Sequence, residues 1–262
     1  MIEPNKKNNN NNLPNIYGVF SIKKEGIVGA GHTKKKSAHQ LLFFAEEKDD
    51  GSICIQPINK NFVPSGPKSF ISKEEFLQNF IPEPDIYINK VYPSMRHLQK
   101  TIARAERHRR NKEYYSAEYE FKNALRIDEE NIRATFGLGL TYLDRGEKDK
   151  AKLVFKRLYN LNAAFEREHK HLFNEFGIKM RKNKMYKEAL KFYLKAYSLE
   201  KWDEHLFFNI ARVLFELKKY KPALKFINKA LALNPNFMEA IKLKNVIEKC
   251  LQNEKSVARI PQ

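Results

Sequence analysis

Residues 132–158 read IRATFGLGLTYLDRGEKDKAKLVFKRL, and this stretch decides the fold. Apolar residues recur at helical spacing on both sides of Gly146, and the stretch contains no proline. Glycine tolerates the left-handed backbone conformation with which a helix commonly ends. The stretch therefore predicts two amphipathic helices joined by a tight turn at Gly146.

The same arrangement recurs along the chain at intervals of about 34 residues, a period typical of repeat proteins. The alanine that follows the turn recurs as Ala117, Ala151, Ala189 and Ala223. The large residue four positions later is Phe121, Phe155, Tyr193 or Ile227, and the small residue twelve positions before each alanine is Ala105, Gly139, Gly177 or Ala211. Small side chains let two helices approach closely, and large ones fill the groove toward the next pair. The repeats therefore predict stacked helical hairpins, and we expect Asn111 and Asn183 to supply the left-handed residue at the turns that correspond to Gly146.

This pattern resembles the tetratricopeptide-repeat family over residues 95–251. The resemblance rests on Gly139 and Tyr142 followed by Ala151 and Phe155, and on Ala223, Ala230 and Pro235. It implies a mainly α fold, a right-handed α-solenoid, with repeats at 98–131, 132–165, 170–203 and 204–237. A four-residue insertion near Glu166–His169 separates the second and third repeats. A capping helix is predicted at 238–251, followed by a flexible tail at 252–262.

The N-terminal part differs in character. Residues 1–15 include a tract rich in Asn and Lys that is predicted to be a disordered tail. Residues 16–94 are predicted to form a small α+β module that is rich in β-structure. Within it, Asp50 and Gly51 lie between two apolar runs, which is a strong hairpin signal. Ser72 and Glu75 have the spacing of a capping box at the start of a helix, and Pro84 suits the start of a further helix that ends near Pro93.

The resemblance also implies a function. In this family the first helix of each repeat lines a concave groove, and such proteins act as non-catalytic adaptors or scaffolds. The positions that point into the groove predict a partner-binding set: Arg133, Phe136, His171, Asn174, Arg181, His205, Phe208, Asn209, Arg212 and Phe215.

The residue types in this set predict the kind of partner. The arginines can form charge-assisted hydrogen bonds to carboxylates, and the phenylalanines can form apolar pockets. We therefore expect a protein segment with acidic and apolar character. The alternative for each phenylalanine is that it packs between repeats and contacts no ligand. The family's carboxylate-clamp subtype is not reproduced, because Phe136, Leu140 and Glu175 occupy slots where that subtype has polar or basic groups.

The charge of the chain opens a second functional alternative. Lys and Arg number 49 against 31 acidic residues, so the formal charge is +18. Residues 1–94 carry only +2 of this, and the remaining +16 lies on residues 95–262. Arg104, Arg107 and Arg110 form one helical stripe that could follow a phosphate backbone, with Tyr114 and Tyr115 nearby to stack bases. A compositional bias toward Lys and Asn explains the excess equally well.

Other classes of function find little support. The two cysteines, Cys54 and Cys250, lie far apart and lack metal-ligand spacing, which fits a reducing compartment. The glycine-rich segment Gly26–Gly31 has neither of the nucleotide-binding spacings and is predicted to be a flexible loop, and His169 with His171 makes only a weak metal motif. We predict no catalytic residues, metal, cofactor or small-molecule substrate. With no apolar run long enough to span a bilayer and no secretory leader, we predict a cytoplasmic protein without membrane contact.

Overall fold

The structure is a computed structural model that describes residues 16–28, 35–161, 164, 169–199 and 204–257. The chain divides into two compact units. Unit 1 comprises the residues up to Thr101 together with Ala124–Glu130, and unit 2 comprises Ile102–Asn123 and the residues from Asn131 onward. The predicted tail at 1–15 and residues 166–168 of the predicted insertion lie outside the described residues.

Unit 1 contains an antiparallel sheet with the strand order β4-β3-β2-β1-β5. Its strands are β1 (Tyr17–Val28), β2 (Lys35–Glu47), β3 (Ile53–Pro57), β4 (Ser69–Ile71) and β5 (Ile81–Pro82). The predicted hairpin is confirmed, because β2 and β3 pair across the Asp50-Gly51 turn and Gly51 has φ 81°. The predicted loop at Gly26–Gly31 is wrong for residues 26–28, which pair with Lys35–Ser37 as part of β1.

A short helix packs on this sheet. Helix α1 (Lys73–Asn79) begins after Ser72, whose Oγ accepts a hydrogen bond from the Glu75 N–H at 3.1 Å, as the capping signal predicted. Phe76 of α1 is buried and stacks on Phe80 with a ring separation of 4.7 Å. These side chains complete a small core with one face of the sheet: Ile16, Phe20, Phe43, Ala45, Ile53, Ile55 and Ile71.

Helical structure runs through the predicted end of this module. Helix α2 (Pro84–Ile86) continues into a π-helical turn at Tyr87–Val91 and then into α3 (Tyr92–Arg110). We predicted a helix end near Pro93, because proline cannot donate a backbone hydrogen bond. Pro93 follows directly on the π-helical turn, in which the Tyr92 N–H donates to the carbonyl oxygen of Tyr87 five positions earlier, and the helix continues through the proline. The boundary predicted at residue 94 therefore falls inside α3.

The end of the next helix, α4 (Tyr114–Ile127), is also part of unit 1. The carbonyl oxygen of Ile127 accepts hydrogen bonds from Nδ2 of both Asn59 and Asn61, each at 2.9 Å. Ser65 Oγ donates to Asp128 Oδ1 at 2.6 Å. The loop after β3 therefore satisfies backbone groups that the helix end cannot pair internally.

Unit 2 consists of successive antiparallel helix pairs, as the repeats predicted. After α3 and α4 come α5 (Ile132–Asp144) with α6 (Lys148–Asn160), α7 (Lys170–Lys182) with α8 (Tyr186–Leu199), and α9 (Glu204–Glu216) with α10 (Tyr220–Leu233). A final helix, α11 (Met238–Val257), extends six residues beyond its predicted end at 251. The predicted fold class is confirmed: a mainly α, solenoid-type chain preceded by a small β-rich module.

The turns inside the helix pairs differ from our prediction at two places. The left-handed residue is Gly146 (φ 74°), as predicted, but at the other described turns it is Lys112 (φ 63°), Lys184 (φ 61°) or Lys218 (φ 57°). Each of these lies five positions before the alanine of its repeat. Asn183 instead donates through Nδ2 to the carbonyl oxygen of Leu143 in the preceding pair, at 3.2 Å. The repeat register, and not the residue type, thus decides which residue takes the left-handed conformation.

Close helix contact explains the small residues of the repeat. A Cβ atom on Gly139 would lie 2.6 Å from a Phe176 ring carbon and 2.8 Å from Val154 Cγ1. Added Cβ atoms on Gly177 and Gly137 would overlap the rings of Tyr193 and Phe121. The repeat pattern predicted small residues at Gly139 and Gly177, whereas Gly137 is not part of that pattern.

Candidate functional site

The candidate site lies on α7 and α9, the first helices of the third and fourth helix pairs. The predicted partner-binding residues fall into three groups when their burial and contacts are compared. One is buried in the core, one is paired with an acidic residue of the chain, and two arginines share a single carboxylate.

Phe136 belongs to the first group, so its place in the predicted set is wrong. Its side chain is fully buried and contacts the rings of Phe176 at 5.7 Å and Phe192 at 6.1 Å. The alternative we considered for the phenylalanines, packing between repeats, applies here. The flanking small residues of α5 let the neighbouring helices cover this ring completely.

Arg133 belongs to the second group. Its guanidinium forms a two-point ion pair with Glu106 of α3, with Nε 2.6 Å from Oε1 and Nη2 2.7 Å from Oε2. This pairing raises the pKa of Arg133. An arginine held in this way by a carboxylate of the same chain offers few remaining donors for an acidic ligand.

A second internal network neutralises the same face of α3, α5 and α7. Arg109, which is 18% exposed, donates to Asp144 at 3.1 Å and to Glu175 at 3.0 Å. Lys179 donates to the other oxygen of Asp144. The charged side chains of this network therefore satisfy one another.

Arg181 of α7 and Arg212 of α9 form the third group. The Arg181 side chain is only 13% exposed, and its nearest carboxylate is that of Glu216, at 3.7 Å from Nη1 to Oε1. Burial and the positive charge of Arg181 lower the pKa of Arg212, with Glu216 acting in the opposite direction. Two partly buried guanidinium groups thus share one carboxylate, which lies beyond good hydrogen-bond distance.

Two tyrosines lie close to these charged groups. Burial raises the pKa of Tyr193, whose ring from α8 is 1% exposed, while the charges of Arg181 and Arg212 act to lower it. Burial and the Glu216 carboxylate raise the pKa of Tyr186 at the start of α8. We call Arg181, Arg212, Tyr193 and Glu216 the arginine cluster.

Apolar surface adjoins the arginine cluster. The Phe208 ring is half-buried, lies 4.9 Å from the ring of Phe237 and has the Arg212 guanidinium over its face at 5.4 Å. His205 is exposed and contacts Phe237 at 5.1 Å. Phe215 is half-buried against Tyr220 at 5.7 Å. A cationic group and an aromatic surface therefore lie side by side on α9.

The remaining predicted residues differ in accessibility. Asn209 is buried, at 8% exposure, and His171 is exposed. Asn174 is half-buried, and its Oδ1 atom is shielded from water with no hydrogen-bond donor among the described residues. Asn174 lies two helical turns before Arg181 and so on the same face of α7.

The structure adds three residues that the sequence did not assign to the candidate site: Glu216, Tyr193 and Phe237. Glu216 follows Arg212 by four positions, so helical spacing could have indicated it. Tyr193 occupies a repeat slot that holds phenylalanine in the first two copies, and its hydroxyl was the available signal. Phe237 is the last residue of the predicted fourth repeat, and no local pattern connects it with Phe208.

The alternative stripe, Arg104, Arg107 and Arg110, gains no support. All three arginines are exposed, and Arg104 contacts Glu120 at 3.3 Å. Tyr115, which was expected to stack a base, has its ring covered on one face by the Arg145 guanidinium at 3.9 Å. In the part of the chain that the structure describes, no group of three or more His, Cys, Asp or Glu side chains could hold a metal ion. No described helix is long and apolar enough to cross a membrane.

Comparison with known proteins finds matches to repeat families. Models described as tetratricopeptide repeat match residues 132–165 and 205–237. The anaphase-promoting complex subunit 3 of Schizosaccharomyces pombe is 32% identical over 93 residues, which is 36% of this chain and 13% of that protein. The chain thus corresponds to a small part of that relative's length.

Solved structures of low sequence identity also match. MamA from Desulfovibrio magneticus RS-1 is 16% identical, with a TM-score of 0.47, over 62% of this chain and 89% of that chain. The pilF protein of Pseudomonas aeruginosa is 20% identical, with a TM-score of 0.45, over 61% of this chain and 69% of that chain.

Proposed function

The chain belongs to the tetratricopeptide-repeat family, and on that premise we propose that its third and fourth repeats bind an acidic and apolar segment of another protein. The family consists of protein-interaction scaffolds, and its fold is typically non-catalytic. The protein is then an adaptor that holds a partner and performs no reaction. Its recognition residues are those of the arginine cluster, with Phe208 and Asn174 beside them.

The observation that carries this proposal is the distribution of charge along the inner face. Arg133, Arg109 and Lys179 each have a carboxylate partner within the chain. Arg181 and Arg212 share the single distant carboxylate of Glu216, so their site keeps a net positive charge. Partial burial has removed water from these guanidinium groups, which strengthens their hydrogen bonds to an anion. A ligand carboxylate would provide the missing partner.

The residues beside the arginine cluster are suited to a peptide, so we expect the ligand carboxylate to belong to a peptide side chain. The exposed edge of Phe208 offers a contact for an apolar side chain next to the acidic residue. Asn174 is half-buried on the same face of α7 as Arg181, and rotation of its side-chain amide could bring it into contact with a peptide backbone. Acidic, apolar and backbone recognition are therefore available along two adjacent helices.

A peptide selection tests this proposal. We would select random displayed peptides on the full chain and measure the binding of the enriched sequences by fluorescence anisotropy. We expect enrichment of Asp or Glu next to Phe or Leu. Arg181→Gln with Arg212→Gln should weaken binding by about 10-fold or more, because each charge-assisted hydrogen bond contributes roughly 1.5–3 kcal/mol.

Arg133→Gln provides the matched control, because this arginine is already paired with Glu106. We expect it to leave peptide affinity unchanged within about twofold. Circular dichroism would show that all variants keep their helical content. Enriched peptides without acidic residues, or equal affinity of the double variant, would refute the proposed site.

A further inference from the structure

The second helices of the last three helix pairs present regular rows of lysine. Lys187, Lys191 and Lys195 lie four residues apart on α8, and Lys221, Lys225 and Lys229 repeat the row on α10, 34 positions later. Residues four apart on a helix share one face. Helix α6 carries a similar row: Lys148, Lys152 and Lys156. We call these nine lysines the lysine face.

Two equivalent contacts show that the three helices lie side by side. The Lys195 Nζ atom of α8 lies 5.9 Å from the centre of the Tyr159 ring of α6. One repeat later, Lys229 Nζ of α10 lies 4.9 Å from the centre of the Tyr197 ring of α8 and donates to its hydroxyl at 2.9 Å. The rows are therefore neighbours, and each spans about 12 Å along its helix, with about 10 Å between helices.

Acidic residues offset little of this charge, although Lys152 pairs with the exposed Asp149 at 3.3 Å. Helices α6, α8 and α10 hold eleven Lys and Arg residues against two acidic ones, Asp149 and Glu188. Among the described residues, Lys187, Lys191 and Lys225 are exposed and have no ion-pair partner. This contrasts with the inner face, where most charges are paired. The lysine face is consequently a two-dimensional field of positive charge.

Aliphatic side chains project between the lysines. Leu153, between Lys152 and Lys156 in sequence, is 71% exposed, and Leu194, between Lys191 and Lys195, is 40% exposed. The tyrosines of this region, in contrast, have lysines placed over their rings. A site for single-stranded nucleic acid needs aromatic faces on which bases can stack. Exposed leucines can instead insert at the headgroup boundary of a membrane surface while the lysines are attracted to anionic lipids.

From this arrangement we propose that the lysine face binds the surface of an anionic lipid bilayer. A bilayer offers a plane of negative headgroups, which matches a field of lysines better than a single line of phosphates does. Each lysine near such a surface adds to the binding, and the attraction fades within a Debye length. This contact needs no membrane-spanning helix, so it replaces our prediction that the protein has no membrane contact. It is independent of peptide binding by the arginine cluster.

Vesicle binding tests the proposal directly. The full chain would be sedimented with vesicles of phosphatidylcholine alone or of phosphatidylcholine with phosphatidylserine, at low and at physiological salt. We expect binding only to the vesicles with phosphatidylserine, and weaker binding at higher salt. The quadruple variant Lys187→Gln, Lys191→Gln, Lys221→Gln, Lys225→Gln should bind at least about 10-fold more weakly.

A control of equal net charge separates a specific face from overall basicity. It carries four substitutions of exposed lysines elsewhere: Lys182→Gln, Lys218→Gln, Lys242→Gln and Lys249→Gln. We expect it to keep most of the vesicle affinity, and both quadruple variants to keep their helical content and their binding of the selected peptide.

Several results would overturn the proposal. These are equal losses in the two quadruple variants, equal binding to neutral vesicles, or no vesicle binding at all. Tight binding of a labelled single-stranded RNA without vesicle binding would also overturn it and would assign the lysine face to nucleic acid. Loss of peptide binding in the arginine double variant, with vesicle binding kept, would show that the two sites are separate.

Discussion

At Gly137 and Gly177, the lack of a Cβ atom allows two helices to pack closely. A Cβ atom on Gly137 would overlap an aromatic ring of the preceding helix, and a Cβ atom on Gly177 would overlap an aromatic ring of the following helix. The ring in question is Phe121 for Gly137 and Tyr193 for Gly177. Both rings are almost completely buried, so they have little room to move.

We therefore expect Gly137→Ala to lower the free energy of unfolding by about 1–3 kcal/mol, since it overpacks a filled core. Urea unfolding followed by circular dichroism would measure this loss. In a Phe121→Leu background the same glycine substitution should cost much less, because the smaller side chain leaves space. An equal cost in both backgrounds would contradict the close contact between Gly137 and Phe121.

At this scale the sequence predicted some site residues and not others. Arg181 and Arg212 could be chosen because the position within a repeat decides which side of a helix a residue occupies. The pairing of Arg133 could not be predicted, because its partner Glu106 lies 27 positions away on another helix. The burial of Phe136 likewise depends on rings from two later helices, Phe176 and Phe192.

At the scale of secondary-structure elements, Glu118 connects α4 to α5 and to the turn that follows it. Its carboxylate accepts hydrogen bonds from Tyr142 at 3.0 Å, from Lys122 at 2.7 Å and from Arg145. Burial acts to raise the pKa of Glu118, but these hydrogen bonds outweigh it and hold the pKa below its ordinary value of 4.5. The charged form of Glu118 therefore stabilises this junction.

The sign of the resulting pH dependence follows from the lowered pKa. The stability contributed by Glu118 is fully present above pH 4.5, the value for the unfolded chain, and is lost as the pH falls through its lower folded-state pKa. We expect Glu118→Gln to reduce the free energy of unfolding by about 1–3 kcal/mol at neutral pH. Below pH 4.5 the difference between the variant and the native chain should shrink.

Urea unfolding across this pH range would measure both effects. Asp149→Asn is a suitable control, because the Asp149 side chain is 98% exposed and should contribute little at any pH. A difference between Glu118→Gln and the native chain that stays constant down to the most acidic pH would show that the charge of Glu118 does not stabilise the fold.

Elements were more predictable than their ends. The repeat alanines placed every helix pair, because the contacts that specify a pair recur within about 34 residues. The turns were partly misassigned, since we expected asparagine to take the left-handed conformation that lysine takes at Lys112 and Lys184. The course of the chain through Pro93 was also missed, because a π-helical turn before it carries the helix onward.

At the scale of the whole molecule, the net charge of +18 is divided unequally between two kinds of helix. First helices such as α5 and α7 place arginines and lysines opposite carboxylates. Second helices carry rows of lysine with few acidic neighbours. The sequence alone gives the total charge but not how that charge is distributed over the surface, because the distribution depends on the fold. The alternative of a compositional bias therefore remained open.

The two proposed sites therefore differ in the interactions by which they would bind a ligand. The arginine cluster is small, partly buried and next to aromatic surface, so it is suited to a defined ligand and a moderate dependence on salt. The lysine face is broad and solvated, so its binding should fall steeply with salt. A scaffold with both could hold a partner protein at a charged surface, and each site can be removed without the other.

The most direct test of the central claim is a double-mutant cycle across the arginine cluster and a selected peptide. Affinities would be measured for the native chain and Arg212→Gln, each with the acidic peptide and with its Asp→Asn or Glu→Gln counterpart. The account predicts a coupling of about 1 kcal/mol or more between the two changes, because Arg212 contacts that carboxylate. Additive effects of the two changes would contradict it, since Arg212 would then act on the peptide without meeting its acidic group.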